Sequence, residues 1–332
     1  MSIKKKILFI LLILVVGYLA CHFSLMQYGV RQLSGQLSLI NSSIPVGEAI
    51  NQVSKGEADK IQLIQQVKTY AQNQLHLSVD ESSYSSFVKQ DSSKTMWVVT
   101  AAESYMLEDY NWNYGPLGGM PYKGFFDYRL AKAEEEKIRN QGFDTDLGTA
   151  SGWSTLGILS EPILSNMLER DSAQLVELII HELTHATIYN FGETTWNENM
   201  ATFIGREGTK RFITDQLNDS SLLSDYEAAL KQKELRSQFI YQKANELNAL
   251  YQSADFQALA INQKQKEKET FMREFLNAYL VQFPNKEIDV KKLPNNTLFT
   301  GFLMYHSSLD SLGLVLENQF QGKLPEFIEA HK

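Results

Sequence analysis

The sequence predicts an α+β fold that is predominantly α. Three observations carry that expectation. Apolar residues recur at helical steps over Gly29–Ala71, over Leu130–Gly142 and again from Leu175 onward. Only two short stretches, Met96–Ala101 and Thr149–Ser160, read as strands. Leu222–Leu280 is rich in Lys, Gln, Glu and Ala and breaks at Ser253–Asp255, the pattern of an antiparallel helical hairpin.

Composition sets the outer bounds. The chain has 332 residues, enough for one large or two modest domains with an ample core. Hydrophobic residues make up 43% and charged residues 21%, which is ordinary for a globular protein. A formal charge of −8 weighs against nucleic acid as a partner. A single Cys excludes an internal disulfide framework.

The first element is a targeting or anchoring segment over residues 1–24. Lys4, Lys5 and Lys6 precede an uncharged apolar run, Ile7–Ala20, and then Cys21, His22 and Phe23. Positive residues stay on the cytoplasmic side, so the body is expected outside the cytoplasm. The run is short against the about 20 residues of a spanning helix and suits a signal peptide. Leu19-Ala20-Cys21 matches the end of a lipoprotein signal, with Cys21 as the acylated residue, although Tyr18 stands where a branched residue is usual. The other reading is an uncleaved helix running on to Met26. Both tether the chain to a membrane.

The body follows. In Gly29–Ala71, Leu33, Leu37 and Ile40 share one helical face, Asn41–Pro45 make a break, and Ile61, Ile64 and Val67 resume. Ser78–Ser93 is polar and turn-rich. Met96–Ala101 is a strand around Trp97, Val98 and Val99. Glu108–Pro121 reads as an aromatic loop with Gly118-Gly119, and Leu130–Gly142 as a helix ended by Gly142. In the second strand, Ser154 and Thr155 precede the next helix closely. They belong either to an edge that pairs with a substrate backbone or to a plain core strand.

The next helix carries the chemistry. Asp171 or Ser172 can cap its start, and Gly192 is expected to end it after Asn190 and Phe191. Leu175, Ile179, Ala186 and Asn190 space its face, and Val176, Leu178 and Ile180 widen it, so the helix should be central and buried. Within it lies His181-Glu182-Leu183-Thr184-His185, an H-E-x-x-H sequence. Two His four residues apart share one face and can reach a single Zn2+ at about 2.0–2.1 Å. Glu182 lies about 100° further round, beside the metal rather than on it, where it can take a proton from water.

Zinc needs a third protein ligand, with the fourth position left for water. Glu198 is the candidate, in the first turn of a second helix expected from about Thr195 to Gly208. Thr195-x-x-Glu198 is also a capping box, so two roles compete for one carboxylate. Glu193, Glu207 and His306 are the alternatives. A third His at metzincin spacing is absent, because Tyr189, Asn190 and Phe191 occupy that stretch.

Three blocks resemble a family of bacterial predicted aminopeptidases, many of them lipoproteins or membrane-anchored. They are Gly119-Met120-Pro121-Tyr122-Lys123-Gly124-Phe125-Phe126-Asp127, Ser154–Leu164, and the metal block continued by Asn197–Phe203. Pro294-Asn295-Asn296 followed by Tyr305 is a weaker echo. The chain departs from the family at Glu161-Pro162, where Asp-Pro is usual, and at Gly192-Glu193-Thr194, where Gly-Asp-Thr is frequent. The resemblance implies a zincin-like metallopeptidase core, with a small sheet beside the metal helix, and peptide hydrolysis in the bacterial cell envelope.

The expected organisation is therefore an anchor over 1–24, a catalytic region over 25–215 and a helical region over 216–332 packed on the cleft. In the last region Lys264, Lys266, Glu267 and Lys268 read as a solvated face. Pro284–Pro294 is a linker, and Asn295–His331 returns to helix. The expected function is a one-zinc peptidase acting on peptide or protein substrates, with Glu182 as general base. An envelope endopeptidase and a non-catalytic membrane-tethered binding protein are its rivals. Tyr305 or His306 would supply an oxyanion donor, or would simply pack. Glu193, Glu161 or Asp127 would hold a substrate ammonium.

Overall fold

The computed structural model describes residues 23–90, 95–114, 118–150, 161–284, 293–305 and 309–332. The anchor segment with Cys21, the pair Ser154 and Thr155, and His306 lie outside the described residues. Among the described residues no helix is long and apolar enough to cross a membrane.

The fold is α+β and mostly helical. Helix α1 (Phe23–Ser42) leads into strand β1 (Ile44–Pro45) and a single turn, α2 (Val46–Ala49). Pro45 and the following turn break the helix where the sequence places the break. Helix α3 (Lys55–Asn73) starts at a capping box: the Ser54 hydroxyl accepts from Glu57 N, and Glu57 accepts from Ser54 N at 2.8 Å. It buries Ile61, Ile64 and Val67 completely. Strands β2 (Ser86–Val88) and β3 (Trp97–Ala102) follow.

Glu108–Pro121 is not a plain loop. It contains a small hairpin, β4 (Trp112–Asn113) with β5 (Gly119–Met120), paired Trp112 to Met120. Burial of Trp112 against Phe125 and Ala131 gives it a core, which local turn residues conceal. Strand β6 (Tyr122–Phe125), helix α4 (Tyr128–Arg139) and strand β7 (Asp144–Thr149) come next. Strand β7 ends at Thr149, and the predicted Thr149–Ser160 lies, from residue 151 on, outside the described residues. Its alternation of Thr145 and Leu147 with Asp144 and Asp146 is too polar to read as a strand alone. It forms because β3 pairs antiparallel along its whole length, Ala102 opposite Asp144 and Trp97 opposite Thr149. Strand β6 pairs antiparallel on the other side of β3.

Strand β8 (Ile163–Leu164) pairs parallel with β2, which pairs antiparallel with β1. This small sheet shares its core with helix α5 (Ser172–His185): Phe87, Val88, Ile163 and Leu164 pack with Leu175, Val176 and Ile179. Asp171 caps α5, accepting from Gln174 N at 2.8 Å. The helix stops at His185, about one and a half turns earlier than predicted. Thr184 and Thr187 donate back to the carbonyls of Ile180 and Leu183, and Ile188 turns inward to 3% exposure.

Helix α6 (Thr194–Phe212) runs past the predicted end at Gly208 into a π turn over Ile213–Leu217. Gly208 is a contact rather than a terminator. A Cβ there would meet Leu75 at 3.0 Å and Ile180 at 3.1 Å, and one at Gly205 would meet the Glu177 carbonyl at 3.2 Å. The two glycines let α6 lie close along α5.

The predicted hairpin is present: α7 (Ser220–Gln252), the turn α8 (Ala254–Gln257) and α9 (Ile261–Gln282). Ile240, Leu247, Tyr251, Met272, Phe275 and Tyr279 form its core with Phe299 from α10 (Asn296–Tyr305). Lys268 is not on a solvated face. It is 4% exposed, bonded to Asp144 at 2.5 and 2.6 Å and to the Ser104 carbonyl at 2.9 Å. The helical spacing gave Lys268 no mark of this, because its partners lie on β7 and the loop after β3. Helices α11 (Leu309–Phe320) and α12 (Leu324–Glu329) close the chain, with Leu316, Leu324, Phe327 and Ile328 in the same core as α5 and α6.

A candidate metal centre between two helices

His181 and His185 point the same way from the last turn of α5, with their Nε2 atoms 3.1 Å apart. Two nitrogens on one tetrahedral ion at ~2.0–2.1 Å stand about 3.3 Å apart, so the spacing suits shared coordination. Glu198 comes from the first turns of α6. Its Oε2 lies 3.6 Å from His181 Nε2 and its Oε1 3.7 Å from His185 Nε2. The donor atoms of all three residues lie within 4.8 Å of one another, so the group could hold a metal ion. The competing cap is not formed: α6 starts after Glu193 with no side-chain cap bond. The start is instead fixed by Asn197, which bonds Asn190 N and Asn190 O, both at 2.8 Å. This tie folds the inter-helix turn and turns Glu198 towards the imidazoles.

Burial and mutual charge drive the pKa values of the cluster apart. Burial and the neighbouring His181 push His185 down to about 4, so it stays neutral at neutral pH. Burial opposes charge on His181, but Glu198, Glu182 and Glu177 outweigh it and raise its pKa. Burial also works against ionised Glu198, yet its contacts with the two His hold it below the usual carboxylate range. Glu182 is 8% exposed, and burial pushes it up to about 7 against the pull of His181. That is a carboxyl poised to exchange protons near neutrality. His185 Nδ1 is buried without a hydrogen-bond partner among the described residues.

Other predicted residues separate. Glu161 is buried and its charge raises the pKa of Glu182, so it belongs to this neighbourhood. Asp127 is the cap of α4, accepting from Arg129 N at 2.9 Å. Glu207 pairs with Lys210 at 2.6 Å, and Glu193 is exposed at the start of α6. Tyr305 ends α10.

Sequence reading missed two tyrosines. Tyr122 on β6 is pushed up to about 12 by enclosure of its hydroxyl and by the charges of Glu198, Tyr189 and Glu182. Tyr189, just after α5, is raised by burial and by Glu198. Their charge coupling to Glu198 sets both hydroxyls in its neighbourhood, with Tyr122 36% exposed. Tyr122 sits in a block that carries the family resemblance, but a long-range approach of sheet to helix leaves no local pattern. Tyr84 is fully buried, raised by burial and by the charges of Glu182 and Glu161.

Fold and site together define a mainly helical α+β protein with a His–His–Glu cluster able to hold a metal and a protonatable carboxyl beside it. A family model described as putative aminopeptidase matches residues 27–332, and the chain belongs to that family. Among curated proteins and solved structures nothing matches it.

Proposed function

We propose that the chain is a zinc-dependent peptidase with a zincin-like core, and that it acts as an aminopeptidase. The observation that carries this reading is the meeting of two imidazoles, His181 and His185, and the Glu198 carboxylate with donor atoms within 4.8 Å of one another. The donor set suits zinc: nitrogen and carboxylate ligands from three residues leave a fourth position open. His181, His185 and Glu198 would hold the ion. When bound, it would supply Lewis acidity, which polarises a scissile carbonyl and makes water acidic near neutral pH. Glu182 accepts the proton of the attacking water and passes it to the leaving amine. Burial of Glu182 supports that role, since it keeps the carboxyl's pKa close to the working range. Tyr122, coupled by charge to Glu198 and Glu182, would donate to the oxygen that gains charge. The family description supports peptide substrates and the amino-terminal specificity.

The proposed setting is the outer side of a membrane, with residues 1–24 as tether. Support comes from the Lys4–Lys6 cluster followed by the uncharged Ile7–Ala20.

The test is metal analysis with peptide-library cleavage. Glu182→Gln should keep one zinc per chain and lose cleavage. Glu198→Ala should lose zinc. Full zinc occupancy at unchanged affinity in Glu198→Ala would overturn the ligand assignment. Cleavage only at internal bonds would replace the aminopeptidase reading with an endopeptidase one.

A further inference from the structure

Helix α1 carries two stripes on opposite sides. The inner stripe holds the helix to the body. Tyr28 donates its hydroxyl to the Gly124 carbonyl at 2.9 Å, and the Gln32 amide donates to the same oxygen. Gly35 presses against the Phe126 ring where any Cβ would overlap it, and Leu39 is buried in the main core. The outer stripe is Phe23, Met26, Val30, Leu33 and Leu37, which are 45–67% exposed. The sequence grouped Leu33, Leu37 and Ile40 on one face, and that face points away from the body.

The outer stripe steps by three, four, three and four residues, and half-buried Ile40 continues it. These are the a and d positions of a heptad seam, with Phe23, Val30 and Leu37 at a and Met26, Leu33 and Ile40 at d. Its flanks, Gln27, Gly29, Ser34, Ser38 and Asn41, carry no charge. Arg31 is the one charged residue of α1, so two copies meet without repulsion along the seam. A helix held on anionic lipid by charge carries Lys and Arg along its polar face, whereas α1 has Arg31 alone and the chain's formal charge is −8. The chain preceding α1 adds a second argument. Its uncharged apolar run, Ile7–Ala20, ends just before Phe23. Two such segments in one membrane would set two α1 helices side by side in the same direction. They would also raise the local concentration, which a seam of about two and a half heptads requires.

We propose that α1 is a parallel dimerisation helix whose outer stripe pairs with the same stripe of a second copy of this chain. The inner stripe keeps each body attached to the outside of the two-helix seam. The metal centre plays no part in this contact.

The test uses the full chain in detergent micelles. Leu33→Cys and Arg31→Cys both change exposed positions, and the wild type with Cys21 sets the background. Under mild oxidation Leu33→Cys should form about tenfold more covalent dimer than Arg31→Cys, because only seam positions bring two Cβ atoms near disulfide distance. The double variant Val30→Glu with Leu33→Glu should turn a dimeric mass by light scattering into a monomeric one at unchanged helix content. A monomeric wild type, or equal cross-linking at positions 31 and 33, overturns the proposal. So does stronger quenching of a fluorophore at Leu33→Cys than at Arg31→Cys, both in a Cys21→Ser chain, by nitroxide lipid in phosphatidylglycerol vesicles, which would make the membrane the occupant.

Discussion

Two clusters of buried charge among the described residues, around Lys268 and around His181, differ in how completely they are satisfied. Around Lys268, one ammonium meets one carboxylate, Asp144, and every neighbour adds a bond. Asn296 N donates to Asp144 at 2.8 Å, the Asn296 amide donates to the Glu103 carbonyl at 2.7 Å, and Tyr251 donates to Asn296 at 2.9 Å. The cluster is neutral and closed, and it ties the hairpin, α10 and the β3–β7 pair into one piece. Around His181, the carboxyls Glu182, Glu198 and Glu161 lie close together, one imidazole nitrogen has no partner, and the pKa values are driven apart. Buried charge that is fully paired is architecture. Buried charge left in excess and aimed at one point is where a cation or a substrate belongs.

The difference can be broken experimentally. The largest effect is expected for Glu182→Gln, which should lower kcat/KM by about 10^2–10^4, the contribution typical of a general base, while melting temperature and zinc content stay unchanged. Loss of zinc in that variant would place Glu182 among the ligands instead. Lys268→Ala should do the opposite. It leaves Asp144 buried and alone and should cost ~3–5 kcal/mol of stability in urea unfolding, with zinc stoichiometry per folded chain intact. Replacing both partners by apolar residues of similar size should recover most of that loss; if it does not, the cluster is more than a clamp.

Proton competition sharpens the contrast. His181 has a raised pKa, so the proton it holds must leave before a metal binds. Zinc affinity should therefore begin to fall while pH is still above the ordinary His value of 6.5 and keep falling below it, and binding there should release protons by calorimetry. A flat affinity between pH 5 and 8, the span in which His changes charge, would remove His181 from the ligand set. Lys268 is paired and bound by no metal, so zinc should not alter the pH dependence of its half of the molecule. The smallest effect is expected for Gly205→Ala. Its Cβ would lie 3.2 Å from the Glu177 carbonyl and 3.4 Å from His181 Cβ, and the neighbours must yield by a few tenths of an ångström. A loss of about 1 kcal/mol with a slight drop in zinc affinity is the outcome that fits.

Much of the first cluster was hidden in the sequence, whereas much of the second was open to reading. His181, Glu182 and His185 are legible because their relation is set by the helix repeat alone, and Asp171 marks where that helix begins. Glu198 is half legible. Its place near the start of a second helix follows from the sequence, but its choice between cap and ligand does not. That choice is made by Asn197, which clamps the turn through Asn190, and by Gly205 and Gly208, which look like helix breakers and serve as close contacts. Tyr122 and Lys268 escape because each acts on partners 60 or more residues away, and a residue's own spacing carries no trace of a distant partner.

What the sequence determined by itself is whatever obeys a short period or a local bond. That covers the helical bias, the capped helix with its two imidazoles one turn apart, the hairpin, and the apolar seam on the first helix. Tertiary structure alone decided which face of that first helix is covered, which lysine is buried, and how a glutamate from the next helix meets the imidazoles. The physical reason is that these outcomes depend on close approach between segments far apart in the chain, where packing and desolvation outweigh every local preference.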